Sequence, residues 1–323
     1  MRISTRLQFR EAEEHIEKGL GDNIDDLLVF PKYVVLETVN TCNARCVMCP
    51  IDFSKPAELM SDDLFDKIVN DLAEHREQVR KVMLYMDGEP LIDKGLPEKI
   101  KKLKKAGIKI VNISTNASLL DQKRGTRLLE SGLDEIYINI DSLKKEVFEE
   151  IRVGLNFDDV YNNTTNFISL RNQLNPNLII RIQVVVQEKN YTEVLDWGKH
   201  WEPFLKKNDQ LVANQAHNWG SQVDVMKFDQ EEGPNDFPCQ SLWGTFTIHQ
   251  DGIVTLCCAD THRKIPIGNM NEQKVVEVWR KSDELNKVRE YHIGGQREKV
   301  SICDGCTTWK EYKHIIYKVM GGN

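Results

Sequence analysis

Three cysteines spaced Cys42-x3-Cys46-x2-Cys49, directly after the β-branched run Tyr33-Val34-Val35-Leu36-Glu37-Thr38-Val39, constrain this chain more than any other stretch. A spacing this short lets one loop wrap one face of a metal cluster, and a strand ahead of it holds that loop on a rigid element. Three thiolates on a four-iron cubane leave one iron open to an exogenous ligand, unlike a four-cysteine electron-transfer cluster. The competing reading is zinc, which takes four cysteine or histidine ligands in closely spaced pairs; no fourth ligand lies beside Cys49. A disulfide framework fits less well. Eight cysteines are few for 323 residues, and Met1-Arg2-Ile3-Ser4-Thr5-Arg6 has no secretory h-region.

The length suits one full-size core plus a smaller module. A formal charge of −7 argues against a general nucleic-acid binder, which needs a basic surface for phosphate. No apolar run approaches the roughly 20 residues that span a bilayer, so no membrane partner and a cytoplasmic, reducing location are expected.

Before Lys32, the charged stretch Glu11-Ala12-Glu13-Glu14-His15-Ile16-Glu17-Lys18 reads as a lid or packing helix stopped by Gly19 and Gly21. From Tyr33 onward, short β-branched runs alternate with amphipathic helical stretches, the pattern of β/α units and a parallel sheet. Strands are expected at about 33–39, 80–86, 108–114, 134–140, 178–186 and 211–217. The predicted fold class is α/β, a partial (β/α)6 TIM-like barrel with a small C-terminal β-hairpin and helix module. Its segments are a helical leader (1–32), the barrel (33–220) and the C-terminal module (221–323). In such barrels the functional groups follow the strands.

The cysteine loop resembles the signature of the radical S-adenosylmethionine (radical SAM) superfamily. That resemblance implies a [4Fe-4S] cluster on Cys42, Cys46 and Cys49, with the amino and carboxylate groups of S-adenosyl-L-methionine chelating the open iron. An electron from the cluster then cleaves SAM to a 5′-deoxyadenosyl radical, which abstracts a substrate hydrogen. One departure is Met48, where an aromatic residue often precedes the third cysteine. After the second strand, Asp87-Gly88-Glu89-Pro90 resembles the family's Gly-Gly-Glu-Pro motif, which holds the SAM amino group, with Asp87 replacing the first glycine. An ordinary Asp-Gly turn competes for these residues taken alone.

Further SAM contacts are implied at the ends of the third and fourth strands. Ile113-Ser114-Thr115-Asn116 offers Ser114 and Asn116, against the alternative of a helix N-cap before Leu119. Asn139-Ile140-Asp141-Ser142 resembles the family's Ser-Leu-Asp-Gly strand end and adds Asn139. Arg152, in Ile151-Arg152-Val153-Gly154, matches a pattern whose arginine pairs with the SAM carboxylate, for which its planar fork is suited. A surface ion pair with Glu149 or Asp158 is the alternative. The run Lys99, Lys101, Lys102, Lys104 and Lys105 reads as a solvated helix face over a stripe of Ile100 and Leu103. Ala216-His217-Asn218-Trp219-Gly220 follows the sixth strand where substrate would enter; a core tryptophan beside a satisfied histidine is the plainer reading.

The other five cysteines lie in the last third of the chain. Cys239, Cys257 placed after Gly252, and the pair Cys303 and Cys306 resemble the twitch domain, the short form of the SPASM extension. That implies an auxiliary [4Fe-4S] cluster on Cys239, Cys257, Cys303 and Cys306, with a zinc ribbon as the competing arrangement. Thr245 to Leu256 reads as a hairpin turning at Asp251-Gly252, followed by a helix containing Val275-Val276-Glu277-Val278-Trp279. Cys258 is left over, either as a small packed residue or as a catalytic thiol that gives a hydrogen atom to a substrate radical.

The resemblance runs from about Tyr33 to Trp309 and implies an enzyme acting on a small-molecule substrate, served by an external electron donor such as flavodoxin or ferredoxin. Twitch-containing relatives dehydrogenate aminocyclitols or invert sugar stereocentres. The leading expectation is dehydrogenation of a secondary alcohol on a sugar or aminocyclitol, free or nucleotide-linked. Alternatives are a redox-neutral epimerase using Cys258 and a peptide-modifying maturase, for which the leader looks too short to recognise a peptide. A non-catalytic metal scaffold or electron carrier is the reading from a different class.

Overall fold

The computed structural model describes residues 5–224, 238–308 and 315–317. The start of the secretory-signal reading, residues 1–4, and the end of the family resemblance at Trp309 lie outside the described residues. The expected strands form as β1 (Tyr33–Leu36), β3 (Lys81–Met83), β4 (Ile110–Thr115), β5 (Glu135–Asn139), β7 (Ile179–Val186) and β8 (Gln210–Gln215). A short ladder pairs β2 (Arg45–Cys46), inside the cysteine loop, with β6 (Arg152–Val153), which lies just after Ile151. Each of the six strands is one to four residues shorter than its run; in β1 and β3 the residues lost are mainly at the C-terminal end, where they leave the ladder to form the polar mouth.

These six strands are parallel and neighbour one another in chain order, with Tyr33 opposite Lys81, Lys81 opposite Ile110, Asn112 opposite Glu135, and Arg181 opposite Gln210. β7 pairs with β5 from Glu135↔Ile179 to Asn139↔Gln183. Connecting helices α3 (Asp62–Glu74), α4 (Leu96–Lys105), α5 (Gln122–Leu129), α6 (Lys145–Ile151), α7 (Phe157–Leu174) and α8 (Val194–Trp201) complete the partial barrel. Their starts follow local chemistry: Ser61, Asp121 and Asn156 cap α3, α5 and α7 by accepting from the backbone N–H of Leu64, Arg124 and Asp159.

The C-terminal strands extend the same sheet. β9 (Thr245–Ile248) runs parallel to β1 on the side away from β3, from Tyr33↔Thr245 to Leu36↔Ile248. The expected hairpin carries the chain back as β10 (Ile253–Thr255), and β11 (Pro266–Asn269) pairs with β10. β12 (Ile315–Tyr317) is antiparallel to β8 at the opposite edge. Thus Cys257 is delivered by strands hydrogen-bonded to the strand that delivers Cys42.

The leader is helical: α1 (Thr5–Leu20) and α2 (Ile24–Val29). α1 runs through Gly19 and ends before Gly21, which takes φ +70. Ile16, Leu27 and Phe30 are fully buried, so the leader packs on the core. α9 (Ser241–Gly244), α10 (Val275–Lys281) and α11 (Asp283–Ile293) close that side, with the indole N–H of Trp279 donating to the Leu27 carbonyl at 2.9 Å.

The lysine face on α4 differs from expectation at one position. Lys99 is buried and pairs with Asp93 at 2.7 Å, while Lys102 reaches Asp66 and Lys104 reaches Asp134 on the outside. Position 99 falls on the apolar stripe one residue before Ile100, and Asp93 compensates its charge. Among the described residues, no helix is long and apolar enough to cross a membrane.

Candidate active site

The first cysteine loop leaves β1 and folds over the mouth. Ala44 N–H donates to Cys42 Sγ at 3.4 Å, Arg152 Nη1 lies 3.5 Å from Cys46 Sγ, and Asn116 Nδ2 lies 3.9 Å from Cys42 Sγ. Burial pushes the Cys42 thiol up to about 11 and the Cys49 thiol up to about 12, with neighbouring thiols adding to the effect. Crowded thiols of this kind become thiolates only against a strongly cationic centre, and N–H groups directed at their sulfurs are what a cluster-bound thiolate accepts. The donor set therefore fits a [4Fe-4S] cluster with one free iron.

Gly88 is fixed by contact. A Cβ there would stand 2.0 Å from the Val39 carbonyl oxygen, because the loop after β3 presses on the cysteine loop, and Glu89 N–H donates to Thr41 O at 2.9 Å. Glu89 is buried and braces two strand ends. Its Oε1 accepts from Thr115 Oγ1 at 2.7 Å and Leu91 N at 3.1 Å, and its Oε2 accepts from Asn116 N at 2.8 Å. One acceptor position on Oε2 remains for an ammonium. Pro90 is buried and opens a short helical turn whose cap is Glu89.

Ser114 is not the helix cap; that role falls to Asp121. Instead Asn139 Nδ2 donates to Ser114 Oγ at 3.1 Å and to Thr115 O at 2.9 Å, joining the mouths of β4 and β5. Asn116 Oδ1 accepts from Ser118 N and Oγ while its amide reaches Asn43 at 3.0 Å. Arg152 pairs with neither Glu149 nor Asp158. Its Nε donates to Asp141 Oδ2 at 2.5 Å in a buried pair, because β6 carries it inward beneath Cys46. Asp158 is taken by Lys145, and Glu149 by the Phe157 N–H.

The segment after β8 links both cysteine sets. Trp219 Nε1 donates to Met48 O at 2.9 Å, Asn218 Nδ2 to Gly305 O at 2.7 Å, and Gln222 Nε2 to Ala259 O at 2.5 Å. Trp219 is therefore a bridge at the surface of the mouth, half-buried, rather than a core residue. His217 packs against it at a tilt, with ring centroids 4.2 Å apart, and burial lowers the His217 pKa to about 4, which keeps the ring neutral.

The second set gathers Cys239, Cys257, Cys258, Cys303 and Cys306. Burial raises Cys239, Cys257 and Cys303, and the charges of their neighbours in the set raise them further. Cys239 N–H donates to His292 Nδ1 at 3.2 Å on α11. Four converging thiols suit a closed-corner cluster. Cys258, pushed up to about 11 by burial, also feels the charges of Cys239 and Asp87.

Sequence reasoning missed the buried group between the sets. Glu37, at the exit of β1, takes Gln250 N–H at 3.2 Å and lies 3.2 Å from His249 Nδ1, while its other oxygen takes Asp87 N–H at 3.3 Å. One ligand atom each from Glu37, Asp87 and His249 lie within 4.8 Å of one another, an arrangement able to hold a cation. The available signal was a carboxylate ending an apolar run, Leu36-Glu37. Burial, then the Glu37 charge, raises Asp87 to about 8, and Lys55 and Arg263 oppose the shift.

Two family models match the chain: the Radical SAM superfamily over residues 36–173 and an iron-sulfur cluster-binding domain, SPASM, over residues 239–307. A probable GTP 3′,8-cyclase from Methanococcus maripaludis strain C5 is 36% identical over 121 residues, covering 37% of this chain and 39% of that protein. This chain thus aligns with well under half the length of that relative. BtrN, solved in complex with AdoMet and 2-DOIA, superposes with a TM-score of 0.58 at 19% identity, covering 86% of this chain and 93% of that one. Streptococcus suis SuiB bound to precursor peptide SuiA superposes with a TM-score of 0.68 at 16% identity, covering 88% and 71%. These two likenesses concern the fold. With the three-thiol loop, its sulfur-directed donors and the second thiol set, the matches establish that the chain belongs to the radical SAM superfamily and carries a SPASM-type iron–sulfur domain.

Proposed function

We propose that this radical SAM enzyme dehydrogenates a secondary alcohol on a sugar or aminocyclitol, free or nucleotide-linked. The observation that supports it is the position of Asp87, a half-buried carboxyl whose charge is felt by Cys49 on one side and Cys258 on the other. Alcohol oxidation by hydrogen abstraction needs three things at one carbon: a hydrogen-atom acceptor, a base and an electron acceptor. Bound SAM and the two clusters supply the 5′-deoxyadenosyl radical and the electron acceptor.

The chain supplies the rest. Cys42, Cys46 and Cys49 would hold the SAM-binding cluster, and Cys239, Cys257, Cys303 and Cys306 the auxiliary one. Gly88, Glu89 and Pro90 would hold the SAM amino group, and Ser114, Asn116 and Asn139 would offer SAM further polar contacts. Arg152, oriented by Asp141, would pair with the SAM carboxylate. Asp87 takes the hydroxyl proton; a carboxyl with a pKa near the working pH is suited to that transfer. The partial barrel comprises residues 33–220, followed by the auxiliary module.

The test is anaerobic incubation of reconstituted protein with SAM, a reductant and a panel of aminocyclitols, sugars and nucleotide sugars. The expected products are 5′-deoxyadenosine and a ketone two mass units lighter than its alcohol. Protein that binds zinc, lacks sulfide and yields no 5′-deoxyadenosine would defeat the enzyme reading.

The placement of Cys258 beside Asp87 favours one second reading, redox-neutral epimerisation with the Cys258 thiol returning a hydrogen atom. It would give product of unchanged mass in water and one solvent deuterium in D2O.

A further inference from the structure

Arg289 on α11 is a buried cation without a carboxylate. It is 5% exposed, and among the described residues no carboxylate lies within ion-pair distance of it. Its Nε donates to Leu242 O at 2.9 Å, and its Nη1 reaches Trp279 O and Asn286 Oδ1, each at 3.2 Å. The guanidinium carbon stands 4.4 Å from the centre of the Trp279 ring. These contacts hold the group in place but do not neutralise it, and the buried Nη2 has no acceptor among the described residues. A guanidinium in this position is stabilised most by an anion.

Arg289 also lines a cavity of about 240 Å³ between α2, α10 and α11, with Asp25, Leu28, Val29, Arg280 and Asn286. Asn286 Nδ2 donates to the Arg280 carbonyl at 3.3 Å, which fixes the rim on which Arg280 stands. Two arginines face one exposed aspartate, so the lining is net cationic. Leu28 and Val29, 38% and 40% exposed, give it an apolar flank. Arg289 meets the chain just before β9, whereas the first cysteine loop leaves the opposite end of the parallel strand β1.

We propose that this cavity binds a small oxyanion, a phosphate or carboxylate group, which pairs with the exposed Arg280 guanidinium and is drawn there by the uncompensated charge of Arg289 in the same lining. The site is separate from the candidate active site and does not depend on the reaction proposed there. Asp25 opposes the anion and limits affinity.

The test uses anaerobically purified holoprotein and follows melting temperature and calorimetric binding with inorganic phosphate, with succinate, and with KCl at matched ionic strength. The expected result is a concentration-dependent rise in melting temperature above the KCl control. A larger rise with phosphate assigns a phosphate ligand, and a larger rise with succinate a carboxylate. Arg280→Gln should weaken binding about tenfold, the loss of one charge-assisted contact, and Asp25→Asn should tighten it. Both positions are exposed, so neither variant endangers the fold. No rise beyond KCl, or equal binding by wild type, Arg280→Gln and Asp25→Asn, overturns the proposal.

Discussion

The indole N–H of Trp219 donates to the carbonyl of Met48, the residue immediately before Cys49, at 2.9 Å. Three consecutive residues at this bridge, Trp219, Gly220 and Ser221, have φ of 48, 63 and 62. Only glycine adopts that region without cost, so the turn stores strain that its contacts must offset. A Cβ at Gly220 would stand 2.7 Å from the Ile302 carbonyl oxygen. The turn is thus clamped between the first cysteine loop and the loop carrying Cys303 and Cys306, and it fixes the distance between them.

Trp219→Phe keeps an aromatic ring against His217 and removes the bond to Met48. It should cost about 1 kcal/mol in an anaerobic denaturant melt while leaving iron content unchanged. Iron loss from the first cluster in this variant would show that the bond holds the loop itself.

Arg152 and Asp141 form a buried pair beneath Cys46, with Asp141 also accepting from Val185 N–H at 2.8 Å. Breaking such a pair leaves an uncompensated charge and costs about 3–5 kcal/mol. Asp141→Asn should therefore lower stability strongly and disturb the cluster's spectrum, although Asp141 touches no cysteine. Arg152→Lys keeps the charge but loses the fork that reaches both Asp141 and Cys46. It should weaken SAM binding, read by isothermal titration, more than it lowers melting temperature.

Much of this was legible in the sequence because it is local. The spacing of Cys42, Cys46 and Cys49, the strand before them and the Asp251-Gly252 turn are short-range signals. Partnerships between distant residues were not legible. Arg152 has Glu149 and Asp158 among its acidic neighbours in sequence, yet the short β2–β6 ladder turns it toward Asp141. Glu37 and His249 are 212 positions apart and meet because β9 pairs in parallel with β1, a pairing that periodicity does not specify. Lys99 belonged to a run of charges, and only the placement of Asp93 shows that it lies inside.

Asp87 gives a pH dependence with a definite sign. Its pKa is about 8 in the folded chain against 3.8 for an unperturbed aspartate. The folded state therefore holds the proton more tightly, and the stability this contributes is full below the unfolded value and lost as pH rises through about 8. Asp87→Asn cannot ionise, so its melting temperature relative to wild type should climb between about pH 4 and about pH 8 and level off above that. Turnover has the opposite slope, because only ionised Asp87 accepts the hydroxyl proton. Wild-type kcat should rise through about pH 8, and Asp87→Asn should lose that limb. A flat wild-type profile would remove Asp87 as the base.

The adjacent thiols Cys257 and Cys258 separate structure from chemistry. Two cubane clusters hold about eight irons per chain, and loss of one leaves about four. Cys257→Ala should bring iron to the lower figure, as should Cys239→Ala, Cys303→Ala and Cys306→Ala. Cys258→Ala should keep the higher figure, because the other four thiols complete the set. A reversed result for the pair would exchange their roles, since both lie against Cys239. With iron retained, the reaction decides what Cys258 does. A dehydrogenase needs no hydrogen donor, so Cys258→Ala should leave 5′-deoxyadenosine and ketone formation within a few-fold of wild type. An epimerase lacking its donor would still consume SAM but could not quench the substrate radical. Loss of inverted product, together with wild-type deuterium incorporation from D2O at the same carbon, would move Cys258 from packing to catalysis.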